Sequence, residues 1–93
     1  MGRDTPTAPL LEAVVTFAGT MQALRAEKRI KGEAIECRLV PTPRELSSTC
    51  ALALTFSRND RDAVAAAVRL HELRVEGGYV YPEDGGAPEP WEP

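Results

Sequence analysis

Residues 36–56 read ECRLVPTPRELSSTCALALTF. Two short β-rich runs flank a polar segment with two prolines. In Ala51–Phe56, Leu52, Leu54 and Phe56 recur every second residue, which places them on one face of a strand. In Glu36–Val40, Cys37 alternates in phase with Leu39. Pro41 closes that run because its nitrogen brings no N–H to a ladder. The stretch is therefore read as two strands joined by residues 41–50, and the rest of the fold is placed around them.

Upstream, Met21 to about Lys31 is rich in helix formers. Ala23, Ala26 and Ile30, with Leu24, form one apolar face, and Glu27 and Lys31 are an i,i+4 pair on the exposed side. Thr20 is the expected N-cap and Gly32 the expected stop. Before them, Ala13–Phe17 is a strand by composition. Downstream, Asn59 is the expected cap of a second helix, with Asp60 and Asp62 near its positive end. That helix is expected to reach about Leu73, with Val64, Ala67, Val68, Leu70 and His71 near its apolar side. Val75–Tyr81 is the last strand, kinked at Gly77-Gly78.

The order β-α-β-β-α-β predicts an α+β chain. The expected form is a ferredoxin-like split βαβ sandwich, an antiparallel four-stranded sheet with both helices on one face. Residues 1–12 read as a flexible leader, 13–81 as a single domain, and 82–93 as an acidic, Pro- and Gly-rich flexible tail.

Composition narrows the function. Ninety-three residues form one domain with a modest core, and aromatics make up only 5%. The net charge of −3 is uneven: Glu83, Asp84, Glu89 and Glu92 lie in the last twelve residues, where there is no base. Elsewhere 11 basic and 10 acidic residues nearly balance. No basic cluster with interleaved aromatics points to nucleic acid. No apolar run approaches the ~20 residues of a membrane span, and no secretory leader is visible, so the expected location is cytoplasmic. Two cysteines and one histidine are too few for a disulfide scaffold or a structural zinc site, and nothing indicates a cofactor.

The segment 41–50 carries the remaining chemistry. Thr42-Pro43-Arg44-Glu45 has the form of a capping box, with Thr42 as N-cap and Glu45 reaching back to its N–H. A short helical turn from Pro43 to about Ser47 would fix the direction of Cys50. A nucleophilic or carrier thiol needs nearby positive charge or hydrogen-bond donors. Arg44 is the nearest base, and Ser47, Ser48 and Thr49 can donate to a sulfur anion. The structural alternatives are a buried, small apolar Cys50, a solvated Arg44 and hydroxyls that only satisfy a loop. Cys37 is read as core, His71 as a half-buried helix residue, and Trp91 as part of the C-terminus with a docking motif as the alternative.

The chain resembles the selenium/sulfur carrier protein-like family, a group of small bacterial domains. The resemblance rests on Val15-Thr16-Phe17, on Gln22–Lys28, and above all on Pro41-Thr42-Pro43-Arg44-Glu45 followed by Ser47-Ser48-Thr49-Cys50. It spans roughly residues 13–81. The sequence departs from the family's pattern at Ala51, where the family has glycine. The resemblance implies that Cys50 carries sulfur or selenium as a persulfide or selenosulfide. Pro41, Pro43, Arg44, Ser47 and Ser48 would shape its site. A donor enzyme and an acceptor protein would be the partners, and the chain would be a carrier rather than an enzyme. Two further expectations stand beside this one. One is a non-catalytic regulatory or interaction module with a structural Cys50, able to pair with a second copy. The other is metal or metalloid binding through thiols across a homodimer.

Overall fold

The computed structural model describes residues 11–46 and 50–93. Most of the expected leader, and with it Ser47, Ser48 and Thr49, lies outside the described residues.

Strand β1 is Ala13–Thr16, helix α1 Thr20–Gly32, β2 Cys37–Pro41 and β3 Leu52–Phe56. A 3-10 turn at Arg58–Asp60 leads into α2, Arg61–Leu70. The chain closes with β4, Gly77–Val80, and β5, Glu89–Trp91. All strand pairs are antiparallel, in the order β2-β3-β1-β4-β5. The first four strands roughly follow the expected ferredoxin-like order. The sheet nevertheless has five strands, not four. Glu89–Trp91, read from sequence as tail, pairs with β4 in the register Gly78↔Trp91, Tyr79↔Pro90, Val80↔Glu89.

Tryptophan packing accounts for the fifth strand. Trp91 lies over Gly78 and reaches Phe56 edge-on, with ring centroids 5.8 Å apart. A Cβ on Gly78 would stand 2.6 Å from Trp91 Cε3, so only glycine leaves room for the indole to cross β4. The apolar gain of burying a large ring holds a three-residue strand that has proline at its centre.

The two sheet faces are covered differently. One face presents Ala13, Val15, Cys37, Leu54 and Phe56 to Ala23, Ala26 and Ile30 of α1 and to Val64, Ala67 and Val68 of α2. Both helices therefore cover the same face, as the period of the strands requires. On the opposite face Val14, Ala53, Thr16 and Thr55 are also buried. Their cover is Leu46, with Leu11, Tyr79 and Tyr81 packed around it. The two threonine hydroxyls bond within the sheet: Thr55 Oγ1 donates to the Ala13 carbonyl (3.0 Å) and Thr16 Oγ1 to that of Gly77 (3.3 Å).

Local signals were displaced by a few residues. Glu27 and Lys31 do pair, at 3.2 Å. Gly19 rather than Thr20 stands at the N-cap of α1, without a side-chain bond. Ser57, not Asn59, makes the cap before α2: its Oγ accepts from the Asn59 N–H at 3.3 Å. Helix α2 stops at Leu70, and Leu70 is exposed. His71, half-buried just beyond it, lies 2.8 Å from Glu33. Among the described residues, no helix is long and apolar enough to cross a membrane.

Candidate functional site

Cys50 lies two residues before β3, at the end of the segment that joins β2 to β3. Two contacts from Thr42 fix its backbone. The Thr42 N–H donates to the Ala51 carbonyl (2.8 Å), and Thr42 Oγ1 donates to the Cys50 carbonyl (2.9 Å). This overturns the capping-box expectation. Both polar groups of Thr42 close the hairpin, and Glu45 does not reach back to Thr42. Among the described residues of the turn, the Leu46 N–H donates to the Pro43 carbonyl at 3.1 Å.

Cys50 is 6% exposed, and its sulfur accepts the Leu52 N–H at 3.4 Å. Arg44 and Ala51 are exposed, and Pro43 is half-buried. Among the described residues no hydrogen bond or ion pair joins Arg44 to Cys50. Pro41 ends β2 opposite Leu52, where an edge strand tolerates its missing N–H. Ala51 keeps an ordinary backbone, with φ outside the left-handed region, so this strand start does not need glycine's freedom. Cys37, the other thiol, sits on the helix-covered face, where burial pushes its thiol up from the ordinary range.

Residues that the sequence left unassigned hold the turn in place. Leu46 is 7% exposed and rests on Val14 and Ala53. Its signal was visible: it is the one large apolar side chain in a polar segment. Tyr81 donates its hydroxyl to Glu45 Oε2 at 2.7 Å, across 36 residues of sequence. The bond holds the Glu45 carboxyl below its usual range; burial and the same bond push the Tyr81 phenol well above its own. Tyr81 is itself anchored. Its N–H donates to the Glu12 carbonyl (2.8 Å), and its carbonyl accepts from Arg58 Nη2 (2.8 Å). The Arg58 N–H in turn donates to Glu12 Oε1 at 3.0 Å. No local pattern could reveal this network, because it joins the start of β1, the end of β3 and the end of β4.

Among the described residues, no group of three or more His, Cys, Asp or Glu side chains could hold a metal ion. An open cleft of about 620 Å³ lies beside the turn, with Leu11, Glu45, Arg58, Tyr81 and Pro88 in its wall.

Neither a curated protein nor a solved structure matches the chain. The sequence model of one family, described as "Putative Se/S carrier protein-like", matches residues 12–80, from the start of β1 to the end of β4 and with Cys50 inside the match, and the chain belongs to that family.

Proposed function

We propose that this protein carries a sulfur or selenium atom on Cys50, taken from a donor enzyme and passed to an acceptor protein. The observation that carries the reading is family membership across the whole β1–β4 unit, with Cys50 held at the start of β3 beside a backbone donor. The Leu52 N–H interacts more strongly with a sulfur anion than with a thiol, because hydrogen bonds to charged acceptors are the stronger kind.

The transfer is balanced without an external oxidant or reductant. The Cys50 sulfur attacks the outer sulfur of a donor persulfide. The donor S–S bond breaks as the Cys50 S–S bond forms, and the donor cysteine leaves with the thiol proton. A selenosulfide donor delivers selenium in the same way. Arg44, exposed on the turn, and the hydroxyls of Ser47, Ser48 and Thr49 would steady the terminal anion; Pro41 and Pro43 would shape the turn around it.

The test is intact mass after the reduced protein is incubated with a cysteine desulfurase and cysteine, followed by mapping of the added atom. Loading on Cys50 that is abolished by Cys50→Ser and retained by Cys37→Ser is the expected result. Equal loading of the two variants defeats the assignment.

The burial of Cys50 favours a second reading, in which the thiol is structural and the protein is an interaction module. Absence of loading, together with a Cys50 slow toward alkylating reagents in the folded state, selects it.

A further inference from the structure

We propose that the open edge of β2 pairs with the β2 edge of a second copy of this chain, antiparallel and centred on Cys37, so that Glu36 of each copy faces Arg38 of the other. The inference goes beyond the reading of Cys50 and does not depend on it.

The sheet order β2-β3-β1-β4-β5 leaves two outer strands. On one side, β5 has three residues with Pro90 at its centre, a poor template for a further strand. On the other side, β2 has five. Its ladder with β3 shows which backbone groups are already engaged. The Thr42 N–H donates to the Ala51 carbonyl, and the register runs on unbroken through Val40↔Ala53 and Arg38↔Thr55. Antiparallel pairing alternates, so Arg38 and Val40 turn their N–H and C=O groups toward β3, and Cys37 and Leu39 turn theirs outward. Pro41 faces outward too but has no N–H. The edge is therefore intact at the start of β2 and blocked at its end. An open cleft of about 780 Å³ borders Ile35, Cys37 and Arg38 at that start.

The side chains select both the occupant and the register. Ile35 and Cys37 are buried, while Glu36 and Arg38 are exposed. A two-fold axis at Cys37 sets Cys37 opposite Cys37, Ile35 opposite Leu39, and Glu36 opposite Arg38 twice over. Opposite charges directly across an antiparallel pair stabilise it, and like charges do the reverse. An axis at Glu36 or at Arg38 puts like charges face to face. An axis at Leu39 brings Pro41 opposite Cys37, where a ladder bond is lost. The segment is thus complementary to itself in one register, which is what an interface between identical copies requires. Joined in this way, both sheets keep their helix-covered faces on the same side, and Cys50 lies toward the far end of β2 in each copy, away from the axis.

The experiment is sedimentation velocity of the full chain at low salt, over a concentration series reaching the millimolar range. A concentration-dependent dimer is expected. Glu36→Arg and Arg38→Glu each create two like-charge pairs and are each expected to weaken dimerisation roughly 10- to 100-fold. The double variant restores both opposite pairs and is expected to return to within a few-fold of the unaltered chain. Both residues are exposed, so folding is not at risk, and thermal unfolding of each variant checks this. A chain that is monomeric throughout the series overturns the proposal and leaves the edge to a strand of another protein. A dimer indifferent to the single variants places the contact on another face and overturns it as well. Weakening by the single variants without rescue in the double one overturns the register and the proposal with it.

Discussion

The indole of Trp91 crosses Gly78 to meet Phe56 at an interplanar angle of 62°, joining the last residues of the chain to the helix-covered core. The C-terminus is therefore part of the sheet's energetics. Trp91→Ala is expected to cost about 2 kcal/mol, below the usual range for a fully buried tryptophan because Trp91 is half-buried. For a domain of this size that is a fall in Tm of roughly 10 °C. Gly78→Ala is expected to act on the same contact by pushing β5 away. Thermal unfolding followed by circular dichroism checks both, and the double variant should lose little more than the worse single one. An unchanged Tm for Trp91→Ala would return residues 82–93 to the status of a tail.

Leu46 offers a second test on the opposite face. Leu46→Ala uncovers Val14 and Ala53 and is expected to cost about 2–3 kcal/mol, as for a large-to-small change at a site that can partly collapse. Leu46→Met, which conserves volume, should cost less than about 1.5 kcal/mol. Urea unfolding gives both values. A loss near zero for Leu46→Ala would mean that the turn does not cover the sheet in solution.

These two contacts mark where the sequence could and could not be read. The strands around residues 36–56 were legible because Leu52, Leu54 and Phe56 keep a strict two-residue period. Helix α1 was legible because Ala23, Ala26 and Ile30 keep the helical one. Strand β5 was not, since Glu89-Pro90-Trp91 is too short to show a period, has Pro90 at its centre and Trp91 as its one β-former, and its pairing depends on Gly78 in another strand. The position of Cys50 was legible as a thiol at a strand start. Its burial was not, because no pattern in residues 41–50 tells a buried thiol from an exposed one. The capping box failed for a different reason. Hairpin closure takes the Thr42 N–H and hydroxyl first, leaving nothing for Glu45 to complete.

Stability should fall at both ends of the pH scale, for different residues. Cys37 has a folded pKa raised by burial. Its contribution is fully present below the unfolded thiol value near ~8.5 and is lost as pH rises toward the folded value. Tyr81 is raised in the same sense and joins above about pH 10. Glu12 and Glu45 are lowered, Glu12 chiefly by the Arg58 N–H and Glu45 by Tyr81. Their contribution is present above the unfolded carboxylate value near ~4.3 and is lost as pH falls through their folded values. Urea midpoints from about pH 3 to 10 measure this. Cys37→Val should flatten the curve between about pH 8.5 and 10 while leaving the acid limb alone. An alkaline slope unaltered by Cys37→Val would assign that limb to another group.

Thr42 is where stability and the proposed function can be told apart. Its hydroxyl supplies the donor for the part-buried Cys50 carbonyl. Thr42→Val keeps the side-chain shape, removes that donor, and is expected to cost about 1 kcal/mol. Thr42→Ser restores the donor and should recover most of it. If Cys50 is a carrier, the loosened backbone misdirects its sulfur, so desulfurase loading should slow in Thr42→Val and return in Thr42→Ser. If Cys50 is only structural, the stability change appears and none of the three proteins is loaded. Loading of Thr42→Val at the unaltered rate would show that the Thr42 bond stabilises the hairpin without positioning the thiol.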